Sequence, residues 1–245
     1  MQLFDCNCSY GISGRPPLRY AKDTAELLAE MDWCGIERAL VYHAGMRFND
    51  AIAYNARLAE EVAGSERLAG SWAILPSQTG EFPRPEALLG EMKANGIRAL
   101  RAFPDEHRYQ LDRRTFGELF DALIEQRIPL FVKQNIVAIG GLLAECPGLT
   151  VVAMNVGPHS LERYLRPLLD AFSTLQVETS HYMVDGLIEG FVERYGPDRL
   201  LFGSGFPDVC SGAALLRLAH AEIDDTAREA IAGGNLERLL GEVTL

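Results

Sequence analysis

The chain has 245 residues, is 48% hydrophobic and carries a formal net charge of -11. That much apolar content supports a large core in one domain, and the acidic balance excludes a general nucleic-acid binder. No apolar run reaches the length of a membrane span, and the N-terminus lacks the basic segment of a secretory leader. The five cysteines, Cys6, Cys8, Cys34, Cys146 and Cys210, are odd in number and scattered, which reads as reduced thiols in a cytoplasmic protein.

The first predicted element is a buried strand over residues 3–9, Leu-Phe-Asp-Cys-Asn-Cys-Ser. Strict alternation puts Asp5, Asn7 and Ser9 on one face, and Cys6 and Cys8 on the other, outward face. A helix follows over 24–34, closed by Gly35, then a strand over 38–43 and a helix over 49–63. A third strand covers 68–76, a helix with proline in its first turn 85–94, and a fourth strand 97–103, halted at Pro104. Next come a helix over 114–126, a strand over 128–133, a helix over 136–145 and a sixth strand over 149–156. Ser160 is the predicted cap of a helix to Phe172, and a seventh strand spans 175–180. A helix over 184–195, an eighth strand over 200–206 and helices over 213–222 and 225–240 complete the chain.

Eight strands alternating with helices, several of them continuous apolar runs such as Val151 to Met154, predict a (β/α)8 barrel occupying residues 1–245 as one domain. The alternative is a doubly wound open sheet. No Gly-x-Gly-x-x-Gly follows a strand, which weakens its dinucleotide-binding version.

In such a barrel the active site lies at the C-terminal ends of the strands. Those ends carry Asn7, Ser9, His43, Ser77, Arg101, Lys133, Asn155, Glu178, Ser180, His181, Ser204 and Asp208. Each has a structural reading: Lys133 neutralising Glu178 or Asp5, His43 a satisfied core histidine, Arg101 paired with Asp105, His159 exposed in a loop. The collection at corresponding strand ends carries more weight than any member.

Three motifs resemble the amidohydrolase superfamily, specifically its amidohydrolase-related group of decarboxylases and lactone hydrolases. Asp5-Cys6-Asn7-Cys8-Ser9 resembles the family's Asp-x-His-x-His. Residues 199–207, Arg-Leu-Leu-Phe-Gly-Ser-Gly-Phe-Pro, resemble its strand-eight motif, and 231–240 its closing helix. The family binds divalent metal through histidines on strands one, five and six and an aspartate on strand eight. Here the matched positions hold Asn7, Ser9, Lys133, Asn155 and Gly205. Neutral oxygen donors, a cation and a residue without a side chain do not make a zinc site.

The resemblance with those replacements implies a hydrolase or lyase acting on a small anionic metabolite, with no metal and no other cofactor. Lys133, Glu178 and Asn7 are the expected catalytic residues: Lys133 in place of the metal's charge, Glu178 as acid/base, Asn7 as a donor to an oxyanion. Ser9, His43, Arg101, Asn155, Ser180 and His181 are the expected substrate-binding residues. Lys133 and Glu178 are expected to pair, and Lys133 and Arg101 to hold one anion between them. Two alternatives remain open: an inactive barrel that binds a small anion or a partner protein, and a metal hydrolase with substitute ligands among Cys6, Cys8, His159, His181 and Asp208. Nucleic acid and membrane are not expected partners. Whether the chain is a monomer or a homo-oligomer is left open.

Overall fold

The computed structural model describes all residues except 13, 15, 134 and 158–161. The predicted cap at Ser160 and the candidate ligand His159 lie outside the described residues. The strands are β1 (Phe4–Tyr10), β2 (Arg38–His43), β3 (Leu68–Gly70), β4 (Trp72–Ala73), β5 (Leu100–Ala102), β6 (Leu130–Lys133), β7 (Val151–Met154), β8 (Leu175–Glu178) and β9 (Leu200–Leu201). They form two parallel sheets in sequential order, β1 to β3 and β4 to β9. β3 and β4 are the single third strand of the sequence reading, interrupted at Ser71.

Backbone bonds join the two sheets into a closed barrel. Ser71 N donates to Val41 O at 2.9 Å on one side. On the other, Cys6 N donates to Phe202 O, Gly205 N to Asn7 O and Ser9 N to Phe206 O, each at 2.9 Å. This is why β9 is only two residues long where a strand over 200–206 was expected. Residues 202–206 bond back to β1 at isolated points instead of extending the ladder with β8.

The helices are α1 (Thr24–Cys34), α2 (Gly45–Phe48), α3 (Ala51–Val62), α4 (Pro85–Ala94), α5 (Pro104–His107), α6 (Arg113–Glu125), α7 (Ile136–Glu145), α8 (Glu162–Ala171), α9 (Leu187–Tyr195), α10 (Ser211–His220), α11 (Asp225–Glu229) and α12 (Asn235–Gly241). Asp23, Asp50, Asp112 and Asp224 cap α1, α3, α6 and α11 by accepting backbone N–H groups of the first turn. The helix expected over 49–63 is α3, opened by its cap Asp50; α2 is a separate turn before it, which the sequence reading did not include. The helix expected over 225–240 is α11 and α12 joined through a π-helical turn at Ala230–Gly234. Pro104, read as a strand stop, also opens the single turn α5, as proline at a first helical position does.

Most buried apolar residues lie in one cluster, which includes Cys8, Val41, Ala102, Val132 and Ala153 from the strands and Leu27, Leu58 and Leu218 from helices. A second, inner cluster holds Phe4, Cys6, Leu40, Phe131, Val152, Met154 and Leu201 together with Leu236, Leu239 and Leu240 of α12. Cys6 and Cys8 therefore do not share a face, contrary to the alternation expected for β1. The β1–β2 register shifts between Asp5 and Cys8, the mark of a bulge. The extra residue puts both Cys6 and Asn7 on the inner side. No described helix is long and apolar enough to cross a membrane.

Candidate active site

Glu178, at the end of β8, is fully buried. Its Oε1 accepts from Asn155 N at 2.5 Å and from Ser180 Oγ at 2.7 Å, and its Oε2 accepts from Ser180 N at 2.8 Å. Burial pushes its carboxyl above the ordinary carboxylate range, and these three donors hold the rise back. Gly203, opposite, has no room for a Cβ: one would collide with Glu178 Oε2. Asp5 is a second buried carboxyl. It accepts from Asn7 N and Ser204 N, each at 2.9 Å, and its pKa is likewise raised by burial.

Asn155 follows β7 in the left-handed region at φ 55°, which asparagine tolerates better than most residues. That conformation turns its N–H to Glu178. Its side-chain Oδ1 accepts from Asn7 Nδ2 at 2.8 Å. Ser180 Oγ also lies 2.9 Å from His181 Nδ1. Glu178, Ser180 and His181 thus form a continuous hydrogen-bonded chain. Burial lowers the His181 pKa, with Asp208 opposing and Arg217 assisting, so the imidazole is neutral near pH 7. Arg217 of α10 donates to Ser180 O at 2.6 Å and fixes the residue between the acid and the ring.

Lys133 does not pair with Glu178. Its Nζ lies 3.2 Å from Glu106 Oε1, on α5, and that same oxygen receives Arg47 Nε at 2.5 Å. The strand-end spacing that suggested a lysine reaching across the mouth misses Glu178 because backbone and hydroxyl donors already surround that carboxylate. Glu106 and Arg47 did not stand out in the sequence, since both sit in turns after strands amid many other charges. The acidic run at Asp105-Glu106, just past a strand end, was the available signal.

Arg101 is not at the mouth either. It is fully buried inside the barrel, where Nε donates to Ser71 Oγ at 2.6 Å and Nη2 to Cys6 O at 2.8 Å and Leu40 O at 3.2 Å. Its guanidinium lies 4.8 Å from the Tyr42 ring centroid and 4.9 Å from that of Phe131. The expected pairing with Asp105 is not formed, and a guanidinium enclosed there is not placed to share an anion with Lys133; the side chain joins strands from within. His43 is also displaced from the expected substrate-binding set. It stacks on Tyr54 at 4.4 Å between centroids, Nδ1 accepts from Gly45 N at 2.9 Å, and burial pulls its pKa down to about 4. Ser9 is buried at the edge of a small cavity of about 20 Å³ that also touches Tyr42, Arg47 and Asp208.

The five matched family positions do not fit a divalent metal. The amides of Asn7 and Asn155 bond to each other, and Lys133 brings an ammonium. Gly205 has φ 70°, and a Cβ there would lie 2.8 Å from that of Ser180 and 3.0 Å from that of Val209, so an aspartate is not accommodated without movement. Among the described residues no three His, Cys, Asp or Glu side chains are grouped to hold a metal ion. Cys6, sealed in the inner cluster, and Cys8, in the outer one, are both displaced from a ligand role.

The barrel is similar to solved structures of the same fold. A 2,6-dihydroxybenzoate decarboxylase from Rhizobium superposes with a TM-score of 0.80 at 16% identity, over 98% of this chain and 99% of that one. An uncharacterized TIM-barrel protein from Bordetella bronchiseptica gives 0.78 at 19% identity, over 99% of each chain. A putative 2-pyrone-4,6-dicarboxylic acid hydrolase from Pseudomonas putida gives 0.74 at 16% identity, over 100% of this chain and 99% of that one. No curated protein sequence matches the chain. The amidohydrolase family model matches residues 13–241, and with that match and this barrel the chain belongs to the amidohydrolase family.

Proposed function

We propose that the chain is a hydrolase or lyase that acts, without a metal ion, on a small carboxylate-bearing molecule at the C-terminal ends of its strands. The observation that carries this reading is the chain Glu178 Oε1, Ser180 Oγ, His181 Nδ1, with links of 2.7 and 2.9 Å. With Ser180 donating to Glu178, its oxygen accepts from a protonated Nδ1. That tautomer leaves the lone pair on His181 Nε2, which makes Nε2 the base. As Nε2 takes a proton from water or substrate, the Nδ1 proton passes to Ser180 and the hydroxyl proton to Glu178. The raised pKa of Glu178 favours that last transfer. Lys133 holds the substrate carboxylate, and the Asn7 and Asn155 amides orient the group beside it. Proteins of similar structure are named for substrates of this kind, a dihydroxybenzoate and a pyrone dicarboxylic acid, which supports the substrate class.

One observation favours a second reading, an inactive barrel. The cavity beside Ser9 and Arg47, about 20 Å³, has room for about one water. A panel of aromatic carboxylic acids, lactones and amides, followed by mass spectrometry, separates the two. Turnover by the wild type that falls ~100-fold or more in both His181→Ala and Glu178→Gln is the expected result. Carboxylate binding with no turnover across the panel would establish the inactive barrel instead.

A further inference from the structure

Two cations from different elements converge on one oxygen. Arg47 Nε of α2 and Lys133 Nζ at the end of β6 lie 2.5 and 3.2 Å from Glu106 Oε1. The three side chains are only 12%, 22% and 18% exposed respectively, so the group is largely withdrawn from solvent screening. Arg47 Nη1 is also 3.4 Å from Asp208 Oδ2, on the rim. The carboxylate between the cations comes from α5, a single turn of four residues. One turn of helix has little cooperative stability of its own, so α5 depends on side-chain ties such as His107 Nε2 to Met46 O at 2.8 Å.

A guanidinium and an ammonium aimed at one carboxylate oxygen are the parts of a carboxylate receptor, in a chain whose net charge is -11. We propose that Arg47 and Lys133 form a carboxylate clamp which Glu106 fills in the free protein, and that a substrate carboxylate binds by displacing Glu106. The clamp deepens the function proposed above and rests on it for the role of Lys133; Arg47 and Glu106 are its new members. Glu106 is then an internal competitor. Exchange of one carboxylate for another leaves both cations paired, so entry costs the movement of α5 and not the exposure of two unpaired charges. The competitor also sets a threshold, because apparent affinity is reduced by the fraction of molecules in which the clamp is empty.

The test is a calorimetric titration of the purified protein with benzoate at constant ionic strength. Glu106→Gln keeps the shape and removes the competing charge, and the benzoate dissociation constant should fall by ~5-fold or more. Arg47→Gln and Lys133→Gln should each raise it by ~5-fold or more. If Glu106→Gln fails to unfold cooperatively, Glu106→Asp, one methylene shorter, should give a smaller tightening. Unchanged or weaker binding in a folded Glu106 variant, with Lys133→Gln still harmful, overturns the internal competitor and leaves Lys133 as the anion holder. Binding indifferent to Lys133→Gln overturns the function proposed above together with the clamp, as does a failure of benzoate to bind both the wild type and a folded Glu106 variant.

Discussion

Asn7 and Asn155, 148 residues apart, join β1 to the end of β7 through one amide hydrogen bond of 2.8 Å. The bond depends on the left-handed backbone of Asn155, which also sends its N–H to Glu178. Asn155→Ala should therefore lose on two counts: ~1–2 kcal/mol for forcing alanine into that region and ~1 kcal/mol for the lost hydrogen bond. Asn155→Gly should recover most of the backbone share. Urea unfolding of the three proteins checks this, and equal losses for alanine and glycine would show that backbone conformation is not the cause.

Protein purified without chelator should contain well below one equivalent of zinc, manganese, iron or nickel per chain. The triple variant Asn7→His, Ser9→His, Gly205→Asp should remain metal-poor and be less stable than wild type. Lys133 still brings a positive charge to the ligand ring, and the new Cβ at residue 205 meets those of Ser180 and Val209. Elemental analysis with a thermal melt measures both. Stoichiometric zinc in the triple variant would mean that the mouth rearranges around a metal, contrary to the crowding at Gly205.

Stability should depend on His43 in a defined acid window. The folded pKa of His43, pulled down to about 4 by burial, lies below the ordinary histidine value of 6.5. The unfolded chain therefore binds the proton first as pH falls. The stabilising contribution of neutral His43 is fully present above pH 6.5 and is lost as pH drops from there toward 4. Buried Asp5 and Glu178 act in the opposite sense, because their raised folded pKa values favour the folded state as they protonate. The difference between wild type and His43→Asn isolates the histidine: wild-type stability should fall more steeply from pH 6.5 to 4. Parallel profiles would refute the assignment.

Arg101→Met should cost ~2–5 kcal/mol of stability, since it leaves the Cys6 and Leu40 carbonyls and the Ser71 hydroxyl without their donor inside the barrel. Affinity for benzoate in the folded fraction should be unchanged. A loss of binding without a loss of stability would return Arg101 to the ligand site.

The barrel was legible because regular alternation of apolar strands and amphipathic helices has few other solutions, and hydrogen bonds link five residues read from the strand ends, Asn7, Asn155, Glu178, Ser180 and His181. What escaped was mostly the consequence of single-residue events. A bulge in β1 between Asp5 and Cys8 sets Cys6 on the same side as Asn7, and no residue there announces it, so Cys6 was assigned to the wrong side. Arg101 looked like a mouth residue because a buried cation without a carboxylate is rare; backbone carbonyls and two aromatic rings supply what a carboxylate would have supplied. The Lys133 to Glu106 pair depends on how a short turn folds back over a strand end, which periodicity does not encode.

The interruption at Ser71 gives the barrel two staves that differ in how they are fastened. Residues 4–70 hold three strands and residues 72–201 the other six strand segments, and few backbone bonds cross between them. Side chains do the joining: Asn55 clasps Ala73 through both its amide atoms, at 2.8 Å each, and Arg101 reaches from the second sheet to carbonyls of the first. A cylinder built this way should come apart along its seams before its staves unravel. Amide exchange at Ser71, Cys6 and Ser9, whose N–H groups bond across the seams, should then report partial opening at lower free energy than exchange inside β6 or β7. Glu178 and Ser180 belong to the six-strand stave, whereas Asn7 and Arg47 belong to the three-strand one or the turn beside it. The candidate site therefore straddles the line of least fastening, and its polar contacts help hold the cylinder shut.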